Sequence, residues 1–254
     1  MNELKVAAHK LRLKEREMPY YVREPETLND DPQLLLTFAM DWRTSLLTEP
    51  YCIVADMFVA AGHRSISFDL PCHGDRIDSY GVGIDGFAAE IAASADPFTR
   101  FVAEAGAVID ACIESGLAKP GRIALCGTSR GGYMALRLMA ADSRIAAVAA
   151  FAPVTDWNAL SEFAALRGSE AVGRLRLAEY VDGLAGRKAY ILIGNRDARV
   201  DTASCCAYYA HAAMYYRSRG WDEMNIAFYC TDDAGHTVSL GAYRRGGDFL
   251  LNEA

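Results

Sequence analysis

The chain has 254 residues, 52% hydrophobic and 23% charged, a balance that suits one larger α/β domain with a sizeable core. Its 26 basic and 33 acidic residues leave a formal charge of −7, which disfavours a broad electrostatic grip on nucleic acid or an anionic membrane. Seven cysteines, mostly inside apolar runs, read as buried thiols of a reducing compartment; with no apolar run near the roughly 18 residues of a membrane span and no secretory h-region, a cytoplasmic location is expected.

Two short alternating stretches, KLRLKE from Lys10 and PYYVRE from Pro19, with a break at Glu17 to Pro19, predict an antiparallel hairpin flanking a larger sheet. LLLTFAM (34–40) is a continuous apolar run, the pattern of a strand covered on both faces. The same pattern recurs at 65–70, 122–126, 145–151, 188–194 and 225–230. Between these lie segments of helical length and period at 49–62, 96–116, 129–142, 202–220 and about 237–252. The alternation predicts an α/β fold in one domain over 1–254, a mostly parallel sheet with helices on both faces. Two long connections, 70–94 and 152–187, leave the carboxyl ends of strands, where ligands lie in open α/β sheets. The second is helical in character and predicts a small lid.

GTSRGG (127–132) stands where the strand RIALC gives way to a helix. Gly127, Ser129 and Gly131 match the G-x-S-x-G nucleophile elbow, a tight turn whose small neighbours let the serine point above the sheet. The helix that starts there brings free amides, and that of Arg130 is placed to donate to a developing oxyanion. A Walker-type phosphate loop is absent, and GVGIDG (81–86) follows a polar stretch rather than a buried strand, so it is read as a loop and not a dinucleotide site.

An elbow serine needs a base and an orienting acid later in the chain. Of five histidines, His236 follows the last strand in the loop TDDAGHTVS, where a base can overhang the elbow; His9, His63 and His211 read as structural, and His73 belongs to the first long loop. Asp197, just past the strand KAYILIG, is the preferred acid over Asp201, which has a plain reading as a helix N-cap; Asp232 and Asp233 read as capping or solvating groups.

With these in place the chain resembles an α/β-hydrolase fold serine hydrolase over nearly its whole length. FDLPCHGDR, GTSRGGYMAL, GNRDARV and DDAGHTV resemble the family's turn after the second parallel strand, its elbow, its acid loop and its base loop, closest to the prolyl-oligopeptidase and dienelactone-hydrolase side, including small esterases. The propeller domain of such peptidases is absent from this chain. The family's His-Gly after the first parallel strand is replaced by TFAMDW, so the second oxyanion amide is expected from Phe38, Ala39 or Met40, with Ala39 or Met40 favoured; Cys72 stands where glycine is usual. The resemblance implies acyl transfer through Ser129, Asp197 and His236 on a small acyl substrate, short or medium in view of the lid, with no metal or organic cofactor. Trp42, His73, Tyr80, Trp157 and Phe163 are candidate pocket walls, and Arg130, Arg196 and Arg199 hint at an anionic substrate. Peptidase, thioesterase or lactone hydrolase activity on the same residues, and a silent binding protein of the same fold, are the alternatives.

Overall fold

Successive residues of a strand point to opposite faces, and this chain uses that rule to build two cores on one sheet. The computed structural model describes residues 6–13 and 16–253. In it, β1 (Val6–Arg12), β2 (Glu17–Arg23), β3 (Leu34–Phe38), β4 (Arg64–Ser67), β5 (Ile123–Thr128), β6 (Ile145–Phe151), β7 (Lys188–Arg196) and β8 (Ile226–Ala234) form one sheet in the order β1-β2-β4-β3-β5-β6-β7-β8. The β1–β2 and β2–β4 pairs are antiparallel and all others parallel. Leu34, Leu36 and Phe38 of β3, with Ile123 and Leu125 of β5, enter one core, while Leu35, Ala124 and Cys126 enter the other.

The helices are α1 (Trp42–Leu47), α2 (Ile53–Ala60), α3 (Gly83–Ala92), α4 (Pro97–Glu114), α5 (Arg130–Ala141), α6 (Glu170–Gly173), α7 (Thr202–Ser218) and α8 (Leu240–Glu253). Buried side chains of α1, α2 and α8 fill one core, and those of α3, α4, α5 and α7 fill the other. The ends are set by local chemistry. At α4, Pro97 supplies a preset φ, and the Asp96 carboxylate accepts from the amides of Phe98 and Thr99, both at 3.0 Å.

Three expectations need correction, and one helix was not expected. Glu17 to Pro19 belong to β2 and not to the hairpin break, with Pro19 opposite Lys10; β4 pairs only with Tyr21–Arg23, so the missing proline N–H interrupts no ladder there. The connection 70–94 is not all loop: GVGIDG runs into α3, whose Ile84, Phe87, Ala88 and Ile91 form a buried i, i+3, i+4, i+7 face. Gly86 is there for fit, since a Cβ on it would stand 2.8 Å from the Cys72 sulfur, and Gly83 for its φ of 65°. DWRTS forms the unforeseen α1, capped by Asp41, which accepts from the Thr44 amide at 2.9 Å. Finally, β8 continues through TDDA to Ala234, a stretch expected to be loop.

The segment 152–187 holds three short 3-10 turns and α6, and it packs on α3, α5 and α7 through buried Trp157, Phe163, Val172, Leu177, Val181 and Leu184.

Candidate active site

Ser129 has φ 57° and ψ −119°, a left-handed backbone that a residue with a side chain adopts only under constraint, at roughly 1–3 kcal/mol. The constraint is visible in hydrogen bonds: the Ser129 amide donates to the Phe151 carbonyl at 2.8 Å, and its own carbonyl accepts from the amides of Tyr133 and Val154. Space around it is made by glycine. A Cβ on Gly127 would lie 2.2 Å from the Gly131 carbonyl oxygen, and one on Gly131 would lie 2.0 Å from that of Phe38. The serine therefore sits between the end of β5 and the first turn of α5, whose leading amides have no partner within the helix.

Asp197 and His236 are brought together by strand pairing. Arg196 of β7 lies opposite Ala234 of β8, so the residues just beyond each strand emerge side by side. The His236 Nδ1 lies 2.7 Å from the Asp197 Oδ2. A carboxylate only accepts, so Nδ1 carries the proton and Nε2 keeps a free lone pair. The other Asp197 oxygen accepts from the amides of Arg199 at 2.9 Å and Val200 at 3.2 Å. Burial works to raise the Asp197 pKa, but the bond and charge of His236 and these two amides outweigh it and hold the carboxyl below its ordinary value. Asp201 caps α7 instead, its Oδ2 accepting from the Ser204 amide at 3.0 Å.

Ser129 and His236 line one cavity of about 350 Å³ together with Ala39, Met40, Pro50, Tyr51, Thr128, Arg130, Ala152, Thr237, Val238 and Tyr243. The two candidate second donors differ. The Ala39 amide is already engaged by the Ser45 hydroxyl at 3.0 Å, whereas the Met40 amide has no partner among the described residues. The following peptide is anchored, with the Met40 carbonyl accepting from the Leu70 amide at 3.0 Å. Asp69 ties the same two loops, accepting from the amides of Trp42 at 2.9 Å and Asp75 at 2.8 Å.

None of the five side chains expected as pocket walls lines this cavity. Trp157 and Phe163 are fully buried among Phe87, Phe98 and Tyr133. Trp42 stacks on Tyr21 with ring centroids 3.7 Å apart, and Tyr80 is exposed. His73 is buried: its Nδ1 donates to the Pro71 carbonyl at 2.7 Å, and its Nε2 accepts from the Arg130 guanidinium at 2.8 Å. Burial, reinforced by the Arg130 cation, pushes the His73 pKa down to about 4, so the ring is neutral at pH 7. The actual walls Tyr51 and Tyr243 were missed because both lie in segments with plain helical patterns; Tyr51 in fact precedes α2, and Tyr243 hydrogen bonds Thr128 beside the elbow. Cys72 has φ 61°, which explains why glycine is usual at that turn.

Among the described residues no cluster of His, Cys, Asp and Glu is suited to a metal ion, and no helix is long and apolar enough to cross a membrane. A sequence model of the Alpha/beta hydrolase family matches residues 38–250. No curated protein matches by sequence. Among solved structures, TT1662 from Thermus thermophilus superposes with a TM-score of 0.71 at 22% identity, covering 98% of each chain. A cold-adapted esterase from an Arctic intertidal metagenomic library gives 0.71 at 18% identity, covering 100% of this chain and 95% of that one. Dipeptidyl peptidase 4 of Porphyromonas gingivalis gives 0.70 at 14% identity over 99% of this chain, which spans only 36% of the peptidase.

Proposed function

We propose, from the premise that this chain belongs to the alpha/beta hydrolase family, that it is a serine hydrolase cleaving esters of small or medium acyl groups. The observation that carries this reading is the shared cavity: a serine on a strained elbow and a histidine held by a buried aspartate open onto the same space. In the reaction, Ser129 Oγ attacks the ester carbonyl while His236 Nε2 takes its proton, and the carbonyl oxygen becomes an oxyanion. The Arg130 and Met40 amides receive that charge, each donor contributing about a hundredfold to a thousandfold in turnover. Collapse breaks the bond to the alcohol, which leaves with the proton from His236. Water then repeats the sequence on the acyl-enzyme, releasing the acid and restoring the Ser129 hydroxyl.

A cavity of about 350 Å³ lies at the small end for ligand sites and favours short acyl chains. Hydrolysis of p-nitrophenyl esters from acetate to palmitate tests the reading. Turnover is expected to peak at short or medium chains and to vanish in Ser129→Ala. Equal rates in that variant, or a preference for palmitate, would contradict it. A matched panel of amide, thioester and lactone substrates separates ester hydrolysis from related activities on the same residues.

A further inference from the structure

Arg130 differs from Arg196 and Arg199, the two arginines that flank Asp197 in the sequence. Arg199 forms a two-pronged ion pair with Glu162, and Arg196 pairs with Asp232 at 3.0 Å. Arg130 has no carboxylate within 4.0 Å among the described residues, and its one hydrogen-bond partner is the neutral His73. A guanidinium has five N–H donors, so most remain unused. Arg130 is half-buried, and none of its nitrogens is among the fully buried, unpartnered side-chain atoms of the described residues. The residue lines the cavity beside Ser129.

His73 looks built to hold this cation without neutralising it. Donation from its Nδ1 to Pro71 fixes the tautomer that offers Nε2 to Arg130. Gly83 stands beside the pair, where a Cβ would lie in ordinary contact at 3.5 Å from the guanidinium and 3.7 Å from the His73 ring. The balance of charge differs as well: the hydrogen bond to Glu162 raises the pKa of Arg199, whereas for Arg130 burial and the Arg199 charge outweigh the more distant Glu162 charge and lower it.

We propose that the Arg130 side chain is a recognition point for a substrate carboxylate, so that the preferred ester carries a free carboxylate near the scissile bond. The proposal rests on the hydrolase reading above and names its substrate class. One unpaired guanidinium suits a monoanion; a phosphate dianion would call for a second free cation, and Arg199 is occupied by Glu162.

The test compares charged and neutral esters within each variant, so that effects common to both cancel. With the charge on the acyl side, p-nitrophenyl hemiglutarate is set against p-nitrophenyl valerate; with the charge on the leaving group, 3-acetoxybenzoate is set against phenyl acetate. Wild type should prefer one charged ester by about tenfold to a hundredfold in kcat/KM, the range of a hydrogen-bonded charge pair. In Arg130→Gln that ratio should fall close to one, and Arg130→Lys should keep part of it. Active wild type with no preference for either charged ester overturns the inference and leaves the hydrolase reading intact. If wild type hydrolyses nothing, calorimetry with monoethyl succinate on Ser129→Ala decides: binding that weakens at least tenfold in Ser129→Ala/Arg130→Gln supports the carboxylate site alone, and equal or absent binding overturns it.

Discussion

Replacing Asp197 with asparagine changes one atom and should cost most of the turnover, because the surroundings dictate which way the amide must face. One Asp197 oxygen accepts from two backbone amides and the other from His236. In Asp197→Asn the carbonyl oxygen will keep the two amides, since turning the NH2 toward them would lose two hydrogen bonds, at least about 2 kcal/mol or roughly thirtyfold. The NH2 then faces His236 Nδ1 and forces it to accept, which moves the ring proton to Nε2, where it cannot take the serine proton. With the imidazolium also losing its counter-charge, kcat should fall by about 10³ to 10⁴ with little change in KM. Initial rates on p-nitrophenyl acetate, with circular dichroism as the folding check, measure this. A folded Asp197→Asn within tenfold of wild type would refute the assigned role. Stability carries a sign too: the Asp197 pKa is depressed on folding, so its stabilisation is present above the unfolded value of about 4 and lost as pH falls through the folded one. The stability gap to Asp197→Asn should narrow at such acid pH.

Met40→Leu should retain turnover while Met40→Pro loses about a hundredfold or more, because only the backbone N–H is assigned a role; equal losses in steady-state rates would point to the side chain. Gly131→Ala places a Cβ 2.0 Å from the Phe38 carbonyl and should destabilise by about 1–3 kcal/mol in urea melts while also lowering kcat, since the displaced peptide leads to Met40. His73 binds its proton only near pH 4 when folded but near 6.5 when unfolded, so the unfolded chain takes up more protons between those values and stability falls as pH drops from 6.5 towards 4. His73→Gln should flatten that slope, as read from urea midpoints across the range.

The strands were legible because doubly covered strands must be continuously apolar, as LLLTF and IAAVAAF are. The candidate site was legible for a related reason: GTSRGG, GNRD and DDAGH each follow such a run, and parallel pairing delivers strand ends to one edge. The α3 face of Ile84, Phe87, Ala88 and Ile91 was equally present in the sequence but masked by Gly83 and Gly86: Gly83 enters the helix at φ 65°, and the low helix propensity of Gly86 is overridden by its close packing on Cys72. Pocket walls were illegible because an aromatic residue carries no mark of what it faces. Trp157 and Phe163 went to the core, while Tyr51, just ahead of α2, and Tyr243, on α8, reached the cavity. Which of Ala39 and Met40 keeps a free amide depends on the Ser45 hydroxyl, a contact across a turn that no pattern records.

Labelling with a fluorophosphonate followed by peptide mass spectrometry tests the activated serine most directly. Wild type should carry a single adduct on Ser129, with labelling abolished in Ser129→Ala and strongly slowed in His236→Ala. Wild type that remains unlabelled, or an adduct on any other residue, would contradict the account.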